Sequence, residues 1–349
     1  MNFFKSLRVK AEELARDEEK IDYLLMRAVE KANENKDSLK KSWDDLAALL
    51  RLGGYRQPIV AVEHGAILQL DRLPTINRFA RKLLRASGLW VGAVEVAVSA
   101  YMHHRLLQEW SSRRAICIPN GVDLDRFHTK RESDDYRRCS GEVVIACAAR
   151  FVPGKGVDDL IRAFGVASLD QAGLYIAGDG PERRTLELLA RSLQLEDRIR
   201  FLGPVLDMPA FWKSSDIAVV PSTQSIESFG MSAAEAMACG KPVVATRNGA
   251  LPNIVLNGVT GRIVEPGDIG ALAQALRAYA ADPVLRSEHG SNGRRRCEER
   301  FSIKRTASSY LELCGELVAK RSGQKPWRFD PSSSSGSTEM QLPSSHPTR

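Results

Sequence analysis

From Glu142 to Ala280 the chain alternates between short, mostly apolar runs and stretches with helical periodicity. The apolar runs are Glu142–Ala148, Gly173–Ala177, Ile199–Leu202, Ile217–Val220, Pro242–Ala245 and Gly261–Val264. Helical spacing marks Val157–Ala167, Glu182–Leu193, Met208–Ser214, Gly230–Cys239 and Ile269–Ala280. Strands without a polar face cannot border water, so both faces of their sheet must be covered. Helices between consecutive strands supply that cover. The expected fold class is α/β, with a doubly wound parallel sheet in this half.

A shorter version of the pattern lies upstream. Ile59–Val62, Val94–Val98 and Ala115–Ile118 read as strands, with a basic helical stretch from Arg78 to Ser87 between the first two. Residues 1–53 contain no Pro and read as helical, with Leu14, Leu24, Leu25 and Ala28, then Trp43, Leu46, Leu49 and Leu50, near helical spacing. A polar stretch from Thr129 to Ser140 separates the two halves. Arg286–Arg300 and Ser302–Lys320 read as two closing helices. Beyond Ser322 the chain turns to Pro and Ser, too polar to order itself. The expected division is a first domain at 1–125, a second at 126–320 and a disordered tail at 321–349.

The 349 residues, 43% of them hydrophobic, suffice for two cores, because single cores stop growing near ~250–300 residues. A formal charge of +7 fits a phosphate-bearing partner, or simply a basic protein. The charge is spread along the chain, with no RNP, zinc-finger or helix-turn-helix pattern, so nucleic acid is not an expected partner. None of the six cysteines forms a Cys-x-x-Cys pair, and no His lies at ligand spacing. They read as buried, reduced thiols of a cytoplasmic protein rather than a zinc site. The N-terminus becomes charged too soon for a signal-peptide core, and no apolar run reaches the ~18 residues of a membrane span.

Two segments carry chemistry. In Glu227-Ser228-Phe229-Gly230-Met231-Ser232-Ala233-Ala234-Glu235 a strand end passes into a helix. Gly230 admits a ligand close to the backbone, and the first free N–H groups form an anion site that fits a diphosphate. Glu227 could accept from sugar hydroxyls and Glu235 from a ribose diol. Taken alone, the two acids read as a helix cap and a partner for a nearby Lys or Arg. The second segment, Arg150-Phe151-Val152-Pro153-Gly154-Lys155-Gly156, follows a strand and precedes a helix. Ligands of α/β sheets bind beyond the carboxyl ends of the strands, so Arg150 and Lys155 are candidates for holding a diphosphate. A solvated turn is the competing reading. Gly178-Asp179-Gly180-Pro181 reads as an architectural turn, and the backbone at Val205 as a nucleobase contact. Asp123-Leu124-Asp125 reads as a turn rather than a metal motif, and no metal is assigned.

The succession IPNGVD, AARFVPGKGVDDLIRAF, YIAGDGPERRTLELLA, RIRFLGPV, SDIAVVPS, ESFGMSAAEAMACGKPVVAT and GRIVEPGD resembles glycosyltransferase family 4 over about residues 58–320. The resemblance implies the GT-B fold, two facing Rossmann-like domains with the active site between them. It implies sugar transfer from a nucleotide sugar with retention of configuration, without an essential metal or other cofactor. The family's diphosphate-binding cations match Arg150 and Lys155, and its acidic pair matches Glu227 and Glu235. Its backbone donors match Phe229, Gly230 and Met231, and an N-domain histidine near the donor sugar matches His64. The expected activity is retaining transfer of a hexose-type sugar from a UDP-, GDP- or ADP-linked donor. The acceptor would be a polysaccharide, lipid-linked or small molecule.

Two departures stand out. The strand and glycine-rich loop that usually open the first domain are not recognisable before Ile59, so this domain is expected to be shortened. The chain is then a truncated product, or its N-terminal helices replace those units, or a partner supplies them. The last case would make it a catalytically incomplete nucleotide-sugar-binding subunit. After Thr246, Asn248-Gly249-Ala250-Leu251-Pro252-Asn253 stands where the family commonly carries Gly-Gly-x-Pro-Glu, and Asn253 cannot supply the carboxylate. Arg78–Arg85 is basic and amphipathic, so contact with the inner face of a membrane is weighed against a surface helix packed on the sheet. An epimerase is disfavoured by the acidic pair with the Arg150/Lys155 loop, and a phosphorylase by the lack of a lysine in a recognisable cofactor context.

Overall fold

Strands form where the apolar runs lie, as a computed structural model shows for residues 59–64, 93–110, 115–129, 142–224 and 226–322. The helices expected in 1–53 and 78–87, most of the 129–140 linker, Cys139 and the tail lie outside the described residues. The chain divides after Thr306 into two compact units, and both sheets belong to the first.

The first sheet is three-stranded and parallel, ordered β1 (Ile59–Glu63), β2 (Ala93–Ala97), β3 (Ala115–Cys117). Between β2 and β3 runs α1 (Ala100–Trp110), a helix that was not apparent from the sequence. Ser99 begins it, with its hydroxyl accepting from Met102 N at 3.1 Å.

The second half contains β4 (Val143–Ala148), α2 (Val157–Ala167), β5 (Ala172–Ala177), α3 (Arg183–Ser192) and β6 (Ile199–Gly203). It continues through α4 (Met208–Ser214), β7 (Ile217–Val220), α5 (Met231–Ala238) and β8 (Val243–Thr246). Then come α6 (Leu251–Ile254), β9 (Gly261–Val264), α7 (Ile269–Ala281), α8 (Pro283–Arg300) and α9 (Ile303–Ser322). Most of these lie within a residue or two of the expected spans. The single-turn α6 was not expected. It follows Gly249, held at φ 55°, where a Cβ would strike the Glu227 carbonyl.

All six strands run parallel in the order β6-β5-β4-β7-β8-β9. Alternate side chains feed two cores. Ile145, Cys147, Leu174, Ile176, Ile217 and Val219 pack on one face with α2, α3 and α7. The residues Val157, Leu160, Ile161, Phe164 and Ala167 make the apolar stripe that α2 needs there. Val144, Ala146, Tyr175, Ala218 and Val220 point the other way, towards α4 and α5. That second core continues into Val98, Met102, Leu106, Val122 and Phe127 of the N-terminal part. This is why the β4 and β7 sequences are apolar at every position.

The crossing between the halves is fastened near Val122. Val122 N donates to Phe301 O at 2.7 Å, and Ile303 N donates to Val122 O at 2.9 Å. Arg294 donates to Phe127 O at 2.6 Å and Ala238 O at 2.8 Å. Asp123–Asp125 is the expected turn, with Asp123 Oδ1 accepting from Asp125 N and Arg126 N. Of the described cysteines, Cys147, Cys239 and Cys297 are buried. Contrary to expectation Cys117 and Cys314 are exposed, Cys117 because it ends the short strand β3.

One glycine in the β4–α2 loop is required by the packing. Gly156 has φ 68°, and a Cβ there would collide with the Pro221 carbonyl at the end of β7. Gly156→Ala is expected to lose about 1–2 kcal/mol from the left-handed conformation alone, and more from displacing Pro221. Urea unfolding checks this; unchanged stability would mean that the loop can be rebuilt.

Candidate active site

In the order β6-β5-β4-β7-β8-β9 the strands β4 and β7 are neighbours at the switch point of the sheet. The helix after β4 packs on one face and the helix after β7 on the other, so their carboxyl ends part and leave a crevice. A cleft of about 360 Å³ lies there. One wall carries Ala148, Ala149, Arg150 and Lys155, another Val220–Ser222 and Glu227–Ser232. His64, at the end of β1, and Asn120 come from the N-terminal part. Seven of the residues singled out from the sequence therefore share one cleft: His64, Arg150, Lys155, Glu227, Phe229, Gly230 and Met231.

Lys155 is brought in by its loop. Thr223 N and Gln224 N both donate to Gly154 O, at 2.8 and 3.1 Å, tying the loop after β4 to the loop after β7. Across that junction Lys155 Nζ donates to Glu227 Oε1 in an ion pair whose side chains are only 16% and 17% exposed. Ser222 Oγ adds a bond to the same oxygen at 2.6 Å. Losing one partner of such a dehydrated pair leaves the other charge uncompensated. Arg150 is exposed at the cleft's edge. Cys147, at the end of β4, is no nucleophile: burial pushes its thiol up to about 12, against a smaller opposing effect of Lys155.

The first turn of α5 supplies the other wall. Gly230 precedes the helix at φ 98°, with no side-chain cap. The first amides, of Met231, Ser232 and Ala233, have no intrahelical acceptor and sit at the positive end of the helix dipole. Phe229 takes part through its backbone alone, since its ring is buried edge-on to Phe301 at 5.6 Å. Ser99 Oγ, besides capping α1, donates to Ser228 O at 2.6 Å and so links the N-terminal part to this turn. Partial burial lowers the pKa of His64 from the usual imidazole value.

Val205 and Glu235 do not line this cleft. Val205 follows β6 and packs against the core beneath α4. Glu235 lies further along α5, where Trp212 Nε1 donates to its Oε2 at 3.2 Å. Burial raises its pKa, while the Trp212 bond and the charge of Arg126 oppose that rise. Gly178–Pro181 is the architectural turn expected, with Gly178 N donating to Gly203 O and Phe151 N to Asp179 O.

Sequence reasoning missed Asn120, Ser222, Ser232 and Asn248. Asn248 matters most. Its Oδ1 accepts from Glu227 N at 3.1 Å, and its Nδ2 donates to Thr223 O at 2.9 Å. Ala250 N then donates to Glu227 O at 2.8 Å, so Asn248-Gly249-Ala250 grips the Glu227 backbone from both sides. The Asn-Gly pair in the departure after Thr246 was the signal available. Asn248→Ala is expected to cost about 1–3 kcal/mol from the unsatisfied groups it leaves, and to lower turnover more than that loss explains. Chemical unfolding and initial rates together check this; full turnover at reduced stability would show that Glu227 is held without it.

A sequence profile for the glycosyl transferases group 1 matches residues 129–296. The GDP-mannose-dependent alpha-(1-6)-phosphatidylinositol monomannoside mannosyltransferase of Mycolicibacterium smegmatis is 32% identical over 282 residues, 77% of this chain and 72% of that one. N-acetyl-alpha-D-glucosaminyl L-malate synthase of Bacillus anthracis is 31% identical over 277 residues, 76% of this chain and 69% of that one. Among solved structures, Anabaena HepE in complex with UDP-glucose matches with a TM-score of 0.68 and 25% identity, covering 81% of this chain and 77% of that one. The parallel α/β architecture is that of the GT-B glycosyltransferases. The chain thus belongs to the group 1 glycosyltransferases, family 4, and is a sugar-transferring enzyme.

Proposed function

We propose that this enzyme moves a hexose-type sugar from a nucleotide-sugar donor to a polysaccharide, lipid-linked or small-molecule acceptor, with retention of anomeric configuration. One observation carries the proposal: Arg150, Lys155, Glu227, His64 and the first turn of α5 border a single crevice at the sheet's switch point. Two cations and a helix N-terminus suit a diphosphate, and the acid and the imidazole suit sugar hydroxyls.

The chemistry needs no protein nucleophile. As the bond from sugar to phosphate breaks, negative charge grows on the leaving diphosphate. Arg150, Lys155 and the amides at Gly230 and Met231 stabilise that charge where it develops. Lys155 has three N–H donors, so it can hold a phosphate oxygen without releasing Glu227. Glu227 and His64 orient the sugar from the two walls. The leaving phosphate takes the acceptor's proton on the face it departs from, which preserves configuration.

The mannosyltransferase from M. smegmatis is named for GDP-mannose, and HepE was solved with UDP-glucose. Both names support a nucleotide-sugar donor, carried on UDP, GDP or ADP. The lipid acceptor in the first name supports a lipid-linked acceptor here. No described helix is long and apolar enough to cross a membrane. The buried reduced thiols fit the cytoplasm, and a lipid-linked acceptor would bring the enzyme to the membrane's inner face.

A ligand bound only by the native state stabilises it by ~2.7 kcal/mol at a hundred times its Kd. One of UDP, GDP and ADP is therefore expected to raise the melting temperature well above the other two; no shift with any would remove the donor site. Arg150→Ala and Lys155→Ala are each expected to lower kcat/KM by ~10²-fold, with proton NMR of the product showing retention. An inverted product would overturn the front-side route. Because protein groups meet the diphosphate charge in this proposal, turnover is expected to survive excess EDTA. Binding without turnover on any acceptor would instead point to a partner-dependent subunit.

A further inference from the structure

Glu235 is the candidate ribose ligand, yet it lies outside the cleft and its carboxylate is half-buried. Its contact with Trp212 is unusual in kind. Trp212 is wholly buried, and its one polar hydrogen goes to Glu235 Oε2 at 3.2 Å. A buried tryptophan needs a partner for that N–H, but a carbonyl would serve as well as a carboxylate.

The donor is held rigidly. Asp207 caps α4 by accepting from Ala210 N at 3.0 Å, with Pro209 in the first turn. Ser214 Oγ donates to Ala210 O at 2.7 Å and Ser215 Oγ to Trp212 O at 2.8 Å. The Phe211 ring lies 5.0 Å from that of Trp212. The indole therefore approaches Glu235 from a helix with little freedom to move.

We propose that Trp212 is a positioning residue, whose buried indole N–H fixes the Glu235 carboxylate so that it receives the vicinal diol of a bound nucleotide's ribose. The proposal rests on the nucleotide-sugar reading of the site. A neutral donor suits the task better than a lysine would. It orients one oxygen without cancelling the charge, and an ionised carboxylate has about four lone-pair sites, enough for the indole and two hydroxyls. Arg126, from the crossing segment, also acts on Glu235 through its charge, whereas burial pushes the nearby Cys239 thiol, at the end of α5, up to about 12, so it stays neutral. Neither replaces the indole bond.

The test measures binding by calorimetry with three probes: the nucleoside diphosphate that stabilises the wild-type chain most, its 2′-deoxy counterpart, and inorganic pyrophosphate. Trp212→Phe keeps an aromatic ring and removes the donor. It is expected to weaken the ribonucleotide about ten-fold, leave pyrophosphate unchanged, and narrow the gap between ribo- and deoxyribonucleotide. Removing a donor to the carboxylate also raises the pKa of Glu235 further. Ribonucleotide affinity, which needs the ionised acid, should then fall away at a higher pH than in the wild type. Equal weakening of all three probes, or none, overturns the proposal.

Trp212→Tyr, which also lacks the indole N–H, serves if Trp212→Phe does not fold. In the unaltered chain, with five tryptophans, the ribonucleotide should shift or protect a buried indole N–H signal that pyrophosphate leaves alone. Identical indole spectra with both probes overturn the proposal too. Glu235→Ala separates the failures. If it leaves ribonucleotide affinity intact, the ribose reading of Glu235 is wrong. If it weakens affinity while Trp212→Phe does not, only the role of Trp212 is lost.

Discussion

The site depends on the parting of two chain connections at the middle of a parallel sheet. β4 and β7 lie side by side, and their helices leave for opposite faces. Backbone contacts tie the loops after the two strands together: Gly154 O accepts two amides from the loop after β7, and Gly156 lies against the Pro221 carbonyl. This places Lys155 and Glu227, which are 72 residues apart in sequence, in contact.

That contact shapes the electrostatics. Lys155 and Glu227 are largely buried, so each offsets the other's charge and holds it in place. Ser222 and Asn248 complete the hold, one on the carboxylate and one on the backbone. The charge pair stands beside the free amides of a helix N-terminus. Preorganisation is what lets such groups stabilise a developing charge without moving.

The N-terminal part is joined to this arrangement by few but specific links. Ser99 reaches the carbonyl just ahead of Phe229, and the segment around Val122 pairs with the chain as it returns at Phe301. The apolar core beneath α4 and α5 runs on into α1 without a break. His64 and Asn120 therefore meet the donor-side residues across a cleft whose two walls share one core. Family membership accounts for the architecture, and within it the Asn248 grip holds the Glu227 backbone while Trp212 bonds the Glu235 carboxylate.

Local pattern in the sequence was enough for the strands of the second half and for all its helices but α6, because the central strands of a doubly covered sheet are apolar at every position. It made Arg150, Lys155, Glu227 and Gly230 candidates, because strand ends followed by glycine-hinged helices are where α/β sheets bind ligands, and the resemblance to the family decided in their favour. Helix α1 was not evident, since its core-facing stripe is short, with Met102 and Leu106 one turn apart and three polar residues between them in sequence. The Asn-Gly pair pointed at Asn248, but what Asn248 and Trp212 do was not legible for a different reason. Each acts through a partner 21 or 23 residues away, and such pairings exist only once β7, β8 and their helices have packed. Sequence determined which residue types stand at the ends of the strands, since burial and backbone geometry act locally. Only the tertiary structure decided that Lys155 faces Glu227 and that Glu235 faces an indole, because strand order, not chain order, sets which loops meet.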